Sequence, residues 1–382
     1  MLRNPPLSLY VHLPWCARKC PYCDFNSYAA PGPVPEDDYI EALFADLDRE
    51  LKRVGERRFE TVFIGGGTPS LFRPEGIARL LRGVRRRASL APDAEITLEA
   101  NPGTVDTTRL KGFLNAGINR LSIGVQSFND SMLRSLGRIH DGQEALRAVQ
   151  LAREAGFTNF NLDLMFGLPG QGIEEALSDV QTAMALSPSH ISFYHLTLEP
   201  NTIFYKHPPA VPDEESVWRA QERCQQALRA GGYLQYEVSA YARSGFQCRH
   251  NLNYWRFGDY VGIGAGAHGK ITDADNDRLI RTAKVRRPEA YFESLRITAE
   301  TGGGEVIARK DRPLEFLMNH LRLREGFPES AFPTRTGVPL DVLETTLSDC
   351  VRDGLLTRTD GVIRCSDRGW NFLDDVLSRF LV

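Results

Sequence analysis

The chain has 382 residues, 42% hydrophobic and 25% charged, with a formal net charge of -3. That length allows a sizeable core plus a second domain, and the charge balance excludes an overall basic field for nucleic acid. No apolar run is long enough to span a bilayer, and Met1 to Val11 lacks the basic-then-apolar pattern of a signal peptide.

The first 230 or so residues alternate strand-like and helix-like segments. Strands are predicted at Leu7 to Leu13, Thr61 to Ile64, Glu95 to Leu98, Arg120 to Val125, Asn159 to Leu164 and His190 to Leu196. They are short, apolar or β-branched, and bounded by Gly, Pro or Asn. Amphipathic helices are predicted between and after them, at Glu36 to Arg53, Pro74 to Arg87, Thr107 to Ala116, Gly142 to Ala155, Ile173 to Leu186 and Glu214 to Ala230. Gly117 and Gly156 fit C-terminal helix stops. Six β/α units in series imply a parallel sheet with helices outside it, fewer units than the eight of a closed barrel. The fold class is therefore α/β, a partial (β/α)6 barrel over residues 1–237.

Residues 238–300 differ, with aromatics and the run GIGAGAHG, and are taken as a connecting segment. From 301 to 382, after the glycines at 302 to 304, the pattern is helical again at Leu314 to Leu323 and Leu340 to Asp353. A hairpin with an Asp360-Gly361 turn follows, then a helix from Arg368 to Phe380. Helices plus a hairpin suggest a small winged-helix-like domain. It is not strongly basic, so a covering or interaction role is favoured over DNA binding.

Chemistry concentrates at the strand ends. The first strand carries Tyr10 and His12 and runs into Cys16, Cys20 and Cys23, spaced C-x3-C-x2-C with Tyr22 before the last. Three thiolates can hold three irons of a 4Fe-4S cluster and leave the fourth iron open, whereas electron-transfer clusters normally have four thiolates. The second strand ends in Gly65-Gly66-Gly67-Thr68-Pro69. The third reaches Glu99, the fourth ends at Gln126, and Asp163 lies near the end of the fifth. In β/α barrels those ends face the active site. Glycines permit close backbone approach to a ligand. Glu99, Gln126 and Asp163 offer acceptors to an ammonium and ribose hydroxyls, and Arg138 offers a forked donor for a carboxylate. Two plainer readings remain: a Cys3His zinc site using His12, and structural roles for each strand-end residue taken singly.

The other cysteines, Cys224, Cys248, Cys350 and Cys365, are scattered, and the total of seven is odd. A reducing, cytosolic compartment suits this better than a disulfide framework. Further on, His250-Asn251-Leu252-Asn253-Tyr254-Trp255 combines an imidazole with two flat aromatic faces, flanked by Arg249 and Arg256 that could pair with propionates. Cys248, two residues before His250, leaves an unusual thiol attachment open. A hydrogen-bonded structural histidine is the plain alternative for His250.

Taken in order, YVHLPWCARKCPYCDF, FIGGGTPS, LEANPG, SIGVQSF, LDLMFGLPGQ, HNLNYW and GIGAGAHG make the chain similar, over nearly its whole length, to the coproporphyrinogen-oxidase-like branch of the radical S-adenosylmethionine (SAM) superfamily. Within that branch it is most similar to the haem-chaperone members. The resemblance implies that Cys16, Cys20 and Cys23 hold a 4Fe-4S cluster whose open iron SAM chelates. It further implies SAM contacts at Tyr10, Gly66, Gly67, Thr68, Glu99, Gln126, Arg138 and Asp163, some of which belong to a second SAM in the related oxidase. The HNxxYW motif implies haem binding by His250, Asn251, Tyr254 and Trp255. Two departures weaken the oxidase reading. Phe25 stands where the oxidase motif has a fourth cysteine, and the oxidase carries a longer arm before its cysteines.

The expected function is thus a haem chaperone that passes haem to an acceptor protein, with oxygen-independent coproporphyrinogen III oxidation as the alternative. Respiratory haem proteins as acceptors, bacterioferritin as donor and a homodimer are implied by the resemblance. So is a cytoplasmic location, with membrane contact only peripheral through an acceptor.

Overall fold

The computed structural model describes residues 1–30, 32–296 and 304–381. Residues 302 and 303, part of the glycine run taken as a divide, lie outside the described residues. Six parallel strands form the heart of the molecule: β1 (Leu7–Leu13), β2 (Phe59–Gly66), β3 (Leu90–Ala100), β4 (Arg120–Gln126), β5 (Phe160–Phe166) and β6 (His190–His195). Their apolar residues read as near-continuous runs because helices cover them; Leu9, Val11 and Leu13 are buried completely. The covering helices are α1 (Glu36–Val54), α2 (Pro74–Arg87), α3 (Thr107–Ala116), α4 (Gly142–Ala155), α5 (Ile173–Ala185) and α6 (Glu214–Ala230).

Local chemistry sets the helix ends. Asp141 caps α4 by accepting from the Glu144 amide, while the Glu144 side chain accepts from the Asp141 amide. Gly117 and Gly156 close α3 and α4 with φ of 105° in both cases, a left-handed conformation that favours glycine.

The stretch after α6 adds strands to both edges of the sheet. On the β6 side come β7 (Leu234–Glu237) and β8 (Ala240–Ala242), both antiparallel. On the β1 side, β9 (Asp259–Ile263) lies parallel to β1. It is followed by β10 (His268–Asp273), β11 (Arg278–Ala283) and β12 (Gly304–Val306), paired antiparallel in turn. The twelve-stranded order is β12-β11-β10-β9-β1-β2-β3-β4-β5-β6-β8-β7, an open sheet in place of a closed barrel. Residues 238–300 therefore supply sheet as well as the short helix α7 (Arg249–Trp255).

The C-terminal segment packs its own core around Phe316, Phe327, Phe332, Leu347 and Ile363. Its Leu356–Thr359 and Val362–Cys365 hairpin turns at Asp360 and Gly361, both at positive φ, and Phe327–Pro328 adds a third strand. The expected final helix is broken into Asp367–Asn371 and Leu373–Ser378. At the break, Phe372 leaves helical geometry and its ring stacks near Trp218 of α6, centroids 6.4 Å apart. No helix among the described residues is long and apolar enough to cross a membrane.

Candidate functional site

The cysteine loop leaves the C-terminal end of β1 and is closed on itself. Trp15–Cys16 pairs in parallel with Tyr28–Ala29, and the Cys23 amide donates to the Cys20 carbonyl at 3.2 Å. Cys16 is buried, whereas Cys20 and Cys23 are partly exposed toward the cavity above the strands. Burial pushes the Cys16 and Cys23 thiols up from their ordinary values. The loop is braced from behind by Asn26. Its side-chain amide donates to the Ala265 and Arg286 carbonyls, each at 2.9 Å, and its carbonyl meets His12 Nε2 at 2.9 Å. The GIGAGAHG run makes this brace: Gly266 sits at φ 79°, and a Cβ there would lie 2.2 Å from Asn26 Nδ2. The glycine cluster thus serves the cysteine loop, a role its sequence did not disclose.

A cavity of about 410 Å³ opens over the loop. Cys16, Cys20, Cys23, Gly66, Gly67, Thr68, Glu99, Gln126, Arg138 and Asp163 all line it, brought from the ends of five strands and the turns after them. Glu99 Oε2 accepts from the Gly66 amide at 3.0 Å, and burial with Asp163 nearby pushes its carboxyl up to about 8. Asp163 is likewise raised by burial, although Asn161 and Ser122 donate to it at 2.7 and 3.1 Å. Gln126 adopts φ 68° and accepts from the Tyr194 hydroxyl at 2.7 Å. Arg138 donates to the Gly124 carbonyl at 2.7 Å and to Cys20 Sγ at 3.7 Å, while its buried Nε has no partner. The glycines answer to the protein itself: a Cβ on Gly66 would lie 2.6 Å from His12 Cε1, and one on Gly67 2.5 Å from the Trp15 carbonyl oxygen. Ser122, Asn161 and Tyr194 escaped the sequence reading. Alternation along β4, β5 and β6 would have pointed to all three: Ser122 shares a face with Gly124, Asn161 with Asp163, and Tyr194 with Ser192.

Tyr10 is placed apart from that group. It lines a second cavity, of about 710 Å³, with His250, Asn251, Tyr254, Trp255, Phe63 and Tyr260. Asp24, Phe25, Gly66 and Glu99 line both cavities, so the two meet at a common wall. His250 is buried, with Phe63 and Tyr10 ring centroids at 5.1 and 6.5 Å. Its Nδ1 lies 2.8 Å from Thr61 Oγ1, whose own hydrogen goes to Ser8 Oγ at 2.8 Å. Thr61 must therefore accept, which puts the ring hydrogen on Nδ1 and leaves Nε2 a bare lone pair. Burial, with Arg120 nearby, lowers this imidazole to about 3, so it is neutral at ordinary pH.

Three neighbours are otherwise engaged. Arg249 pairs with Asp93 and Arg256 with Glu325, neither lining the cavity. Cys248 is fully buried with Sγ 3.6 Å from Glu95 Oε1, which removes it as an accessible attachment point.

Three thiols on one loop, an acidic wall and an unpaired buried guanidinium nitrogen fit a cluster and a ligand carrying both ammonium and carboxylate. A lone zinc fits less well. Both ring nitrogens of His12 are engaged, by the Tyr10 hydroxyl and the Asn26 carbonyl, and among the described residues no three His, Cys, Asp or Glu groups converge on one metal ion.

Comparison with known proteins accords with this geometry. The radical SAM superfamily model matches residues 10–183, and the HemN C-terminal domain matches 307–372. The chain is 50% identical to the heme chaperone HemW of Escherichia coli K12, covering all of both chains. It is 34% identical to that of Bacillus subtilis, covering 98% of this chain and 99% of that one. It is also 40% identical to the mouse mitochondrial radical S-adenosyl methionine domain-containing protein 1, over 98% of this chain and 87% of the other. In fold it resembles the E. coli coproporphyrinogen III oxidase HemN, with a TM-score of 0.83 at 23% identity over 99% of this chain and 90% of that one. The chain belongs to the HemW family of radical SAM proteins.

Proposed function

We propose that this protein is a haem chaperone that holds haem on the His250 cavity and hands it to an acceptor protein. The observation that carries the reading is the state of His250: a neutral imidazole with a bare Nε2, set among Tyr10, Phe63, Tyr254 and Trp255. Aromatic walls of that kind favour a flat macrocycle, and neutral imidazole nitrogen is a common haem ligand. The names of the most similar relatives support the same reading.

Cys16, Cys20 and Cys23 would hold a 4Fe-4S cluster, with SAM against Gly66, Gly67, Thr68, Glu99, Gln126, Arg138 and Asp163. When bound, those groups supply one-electron chemistry at an open iron. The chain's own residues supply the pocket. Glu99 and Asp163 receive cationic or hydroxyl groups, Arg138 covers Cys20, and Ile64 and Val125, buried behind them, exclude water. Tyr10 stands at the haem cavity, and Gly66 and Glu99 serve both cavities, so haem and SAM occupy adjoining spaces in this reading. Acceptors among respiratory haem proteins, a bacterioferritin donor, a homodimer and a cytoplasmic location belong to the proposal.

The test is anaerobic. After cluster reconstitution, ferric haem titrated into the protein should bind stoichiometrically, and His250→Ala should weaken it at least tenfold. Coproporphyrinogen III supplied with SAM and a low-potential reductant should remain undecarboxylated. Decarboxylated product, or unchanged haem binding by His250→Ala, would overturn the reading.

A further inference from the structure

The haem reading explains what His250 does, but not why its ring faces the cavity in one tautomer. Helix α7 is only seven residues long, and its Cys248 N-cap position makes no side-chain cap. Orphan amides at such a start need acceptors from elsewhere. They find them in the sheet below. Glu95, buried on β3, accepts from the His250 amide through Oε1 at 3.1 Å and from the Arg249 amide through Oε2 at 3.1 Å. The Cys248 thiol reaches the same Oε1 at 3.6 Å. From β2, Thr61 takes the ring Nδ1 at 2.8 Å and passes its own hydrogen to Ser8 on β1. Ser8 also accepts from Asn253 Nδ2 at 2.9 Å, tying the far side of α7 to the same strand.

We propose that Glu95 and Thr61 are the positioning residues of the haem site, Glu95 fixing the backbone that carries His250 and Thr61 fixing the tautomer and the direction of Nε2. This rests on the haem-chaperone reading and deepens it. Neither residue lines the cavity, so neither touches the ligand; both act through His250. The arrangement follows a general pattern in which a ligating imidazole is oriented by the bond its other nitrogen makes. Glu95 is specific in its chemistry. Glutamine at that position would aim an NH2 donor at one of two backbone donors, a conflict the carboxylate does not have. Arg120, buried beside Glu95 and Cys248, supplies the positive charge that makes a buried carboxylate tolerable.

The test uses full-length protein with its cluster reconstituted, and ferric haem as the probe. Thr61→Val keeps the shape and removes the acceptor, whereas Thr61→Ser keeps the hydroxyl. Cluster iron and labile sulfide report whether each variant folds. Thr61→Val should shift the Soret band and release haem to apomyoglobin about 5- to 10-fold faster, Thr61→Ser should behave like wild type, and Glu95→Gln should release at least about 10-fold faster. Wild-type spectra and release rates in both Thr61→Val and Glu95→Gln would overturn the proposal. Should Glu95→Gln lose its cluster, the valine and serine pair decides alone: equal release by the two overturns the assignment. If the wild-type haem band proves independent of His250, the haem reading falls instead. The positioning claim is then judged by amide exchange at Arg249 and His250, which Glu95→Gln must accelerate.

Discussion

At the residue scale, Glu99 stands out because it faces both cavities while its carboxyl is pushed up to about 8. In the unfolded chain a glutamate titrates near 4.3. Between those values the folded protein keeps a proton that the unfolded chain has released, so stability falls as pH rises from about 4.3 through about 8 and then levels off. Glu99→Gln retains an acceptor for the Gly66 amide and removes the titration. Its melting temperature should match wild type near pH 5 and exceed it by a few degrees at pH 8.5. A difference that stays constant across that range in thermal unfolding would show that Glu99 does not titrate as its surroundings demand. Gly66 makes a second case. At φ 117° with His12 Cε1 2.6 Å from its would-be Cβ, Gly66→Ala is strained twice over. A cost of about 2–4 kcal/mol is expected, read from urea unfolding, because His12 also holds Tyr10 and Asn26 in place.

At the scale of elements, the β9–β10 connection and the cysteine loop form one unit although about 240 residues separate Asn26 from Ala265. Asn26→Ala removes two donated hydrogen bonds and leaves the carbonyl of buried Ala265 without its donor, whereas the exposed Arg286 carbonyl keeps the Tyr28 hydroxyl at 3.3 Å, a loss of about 2 kcal/mol. The expectation is faster cluster loss, by roughly an order of magnitude, measured as labile sulfide over time under chelator. A decay identical to wild type would mean that the loop stands without its brace.

This unit also marks the limit of what could be read in advance. The six β/α units were legible because buried parallel strands and amphipathic helices carry strong local periodicity, and the strand-end residues of the cluster cavity followed from that. The strands β9 to β11 were not. Asp259–Ile263 pairs with β1 across some 250 residues, and the glycine run that starts at Gly262 looks like a loop until the neighbour that needs the close approach is known. The same holds for Tyr10, which lies on β1 with the other strand residues in sequence but faces the His250 cavity in space. Arg249 and Arg256 looked free in sequence, yet each is taken up by an acid distant along the chain.

At the scale of the whole molecule, a charge network joins the pieces that surround the His250 cavity. Asp259, the first residue of β9, is completely buried and receives Lys270 Nζ at 3.0 Å, Arg57 Nη1 at 2.8 Å, and the Thr272 amide and hydroxyl at 3.0 and 2.8 Å. Its carboxyl is held below the ordinary value by Lys270 and Arg57, against the opposing effect of burial. Lys270 also lies over the Phe257 ring at 4.4 Å, and Phe257 packs edge-on to Phe316 in the C-terminal core. On the other side, the Asp259 carbonyl accepts from Asn253 of α7 at 2.9 Å. Asp259 thus links the sheet extension through its carboxylate, helix α7 through its backbone carbonyl, and the C-terminal segment through Lys270 and Phe257. Asp259→Ala would strand the buried Lys270 and remove a partner of the partly exposed Arg57, at a cost of about 3–5 kcal/mol. Because this carboxyl is depressed, its contribution is present above the unfolded value near 3.9 and is lost as pH falls through the lower folded value. Wild type should therefore lose its advantage over Asp259→Ala only on the acid side of pH 4, and the gap between their urea midpoints should be narrower at pH 3 than at pH 7. The double variant Asp259→Ala/Lys270→Met should recover part of the loss at pH 7, since it removes a buried cation along with its partner. No recovery there would place the stabilisation in Arg57 and the Thr272 hydrogen bonds instead of in the Lys270 pair.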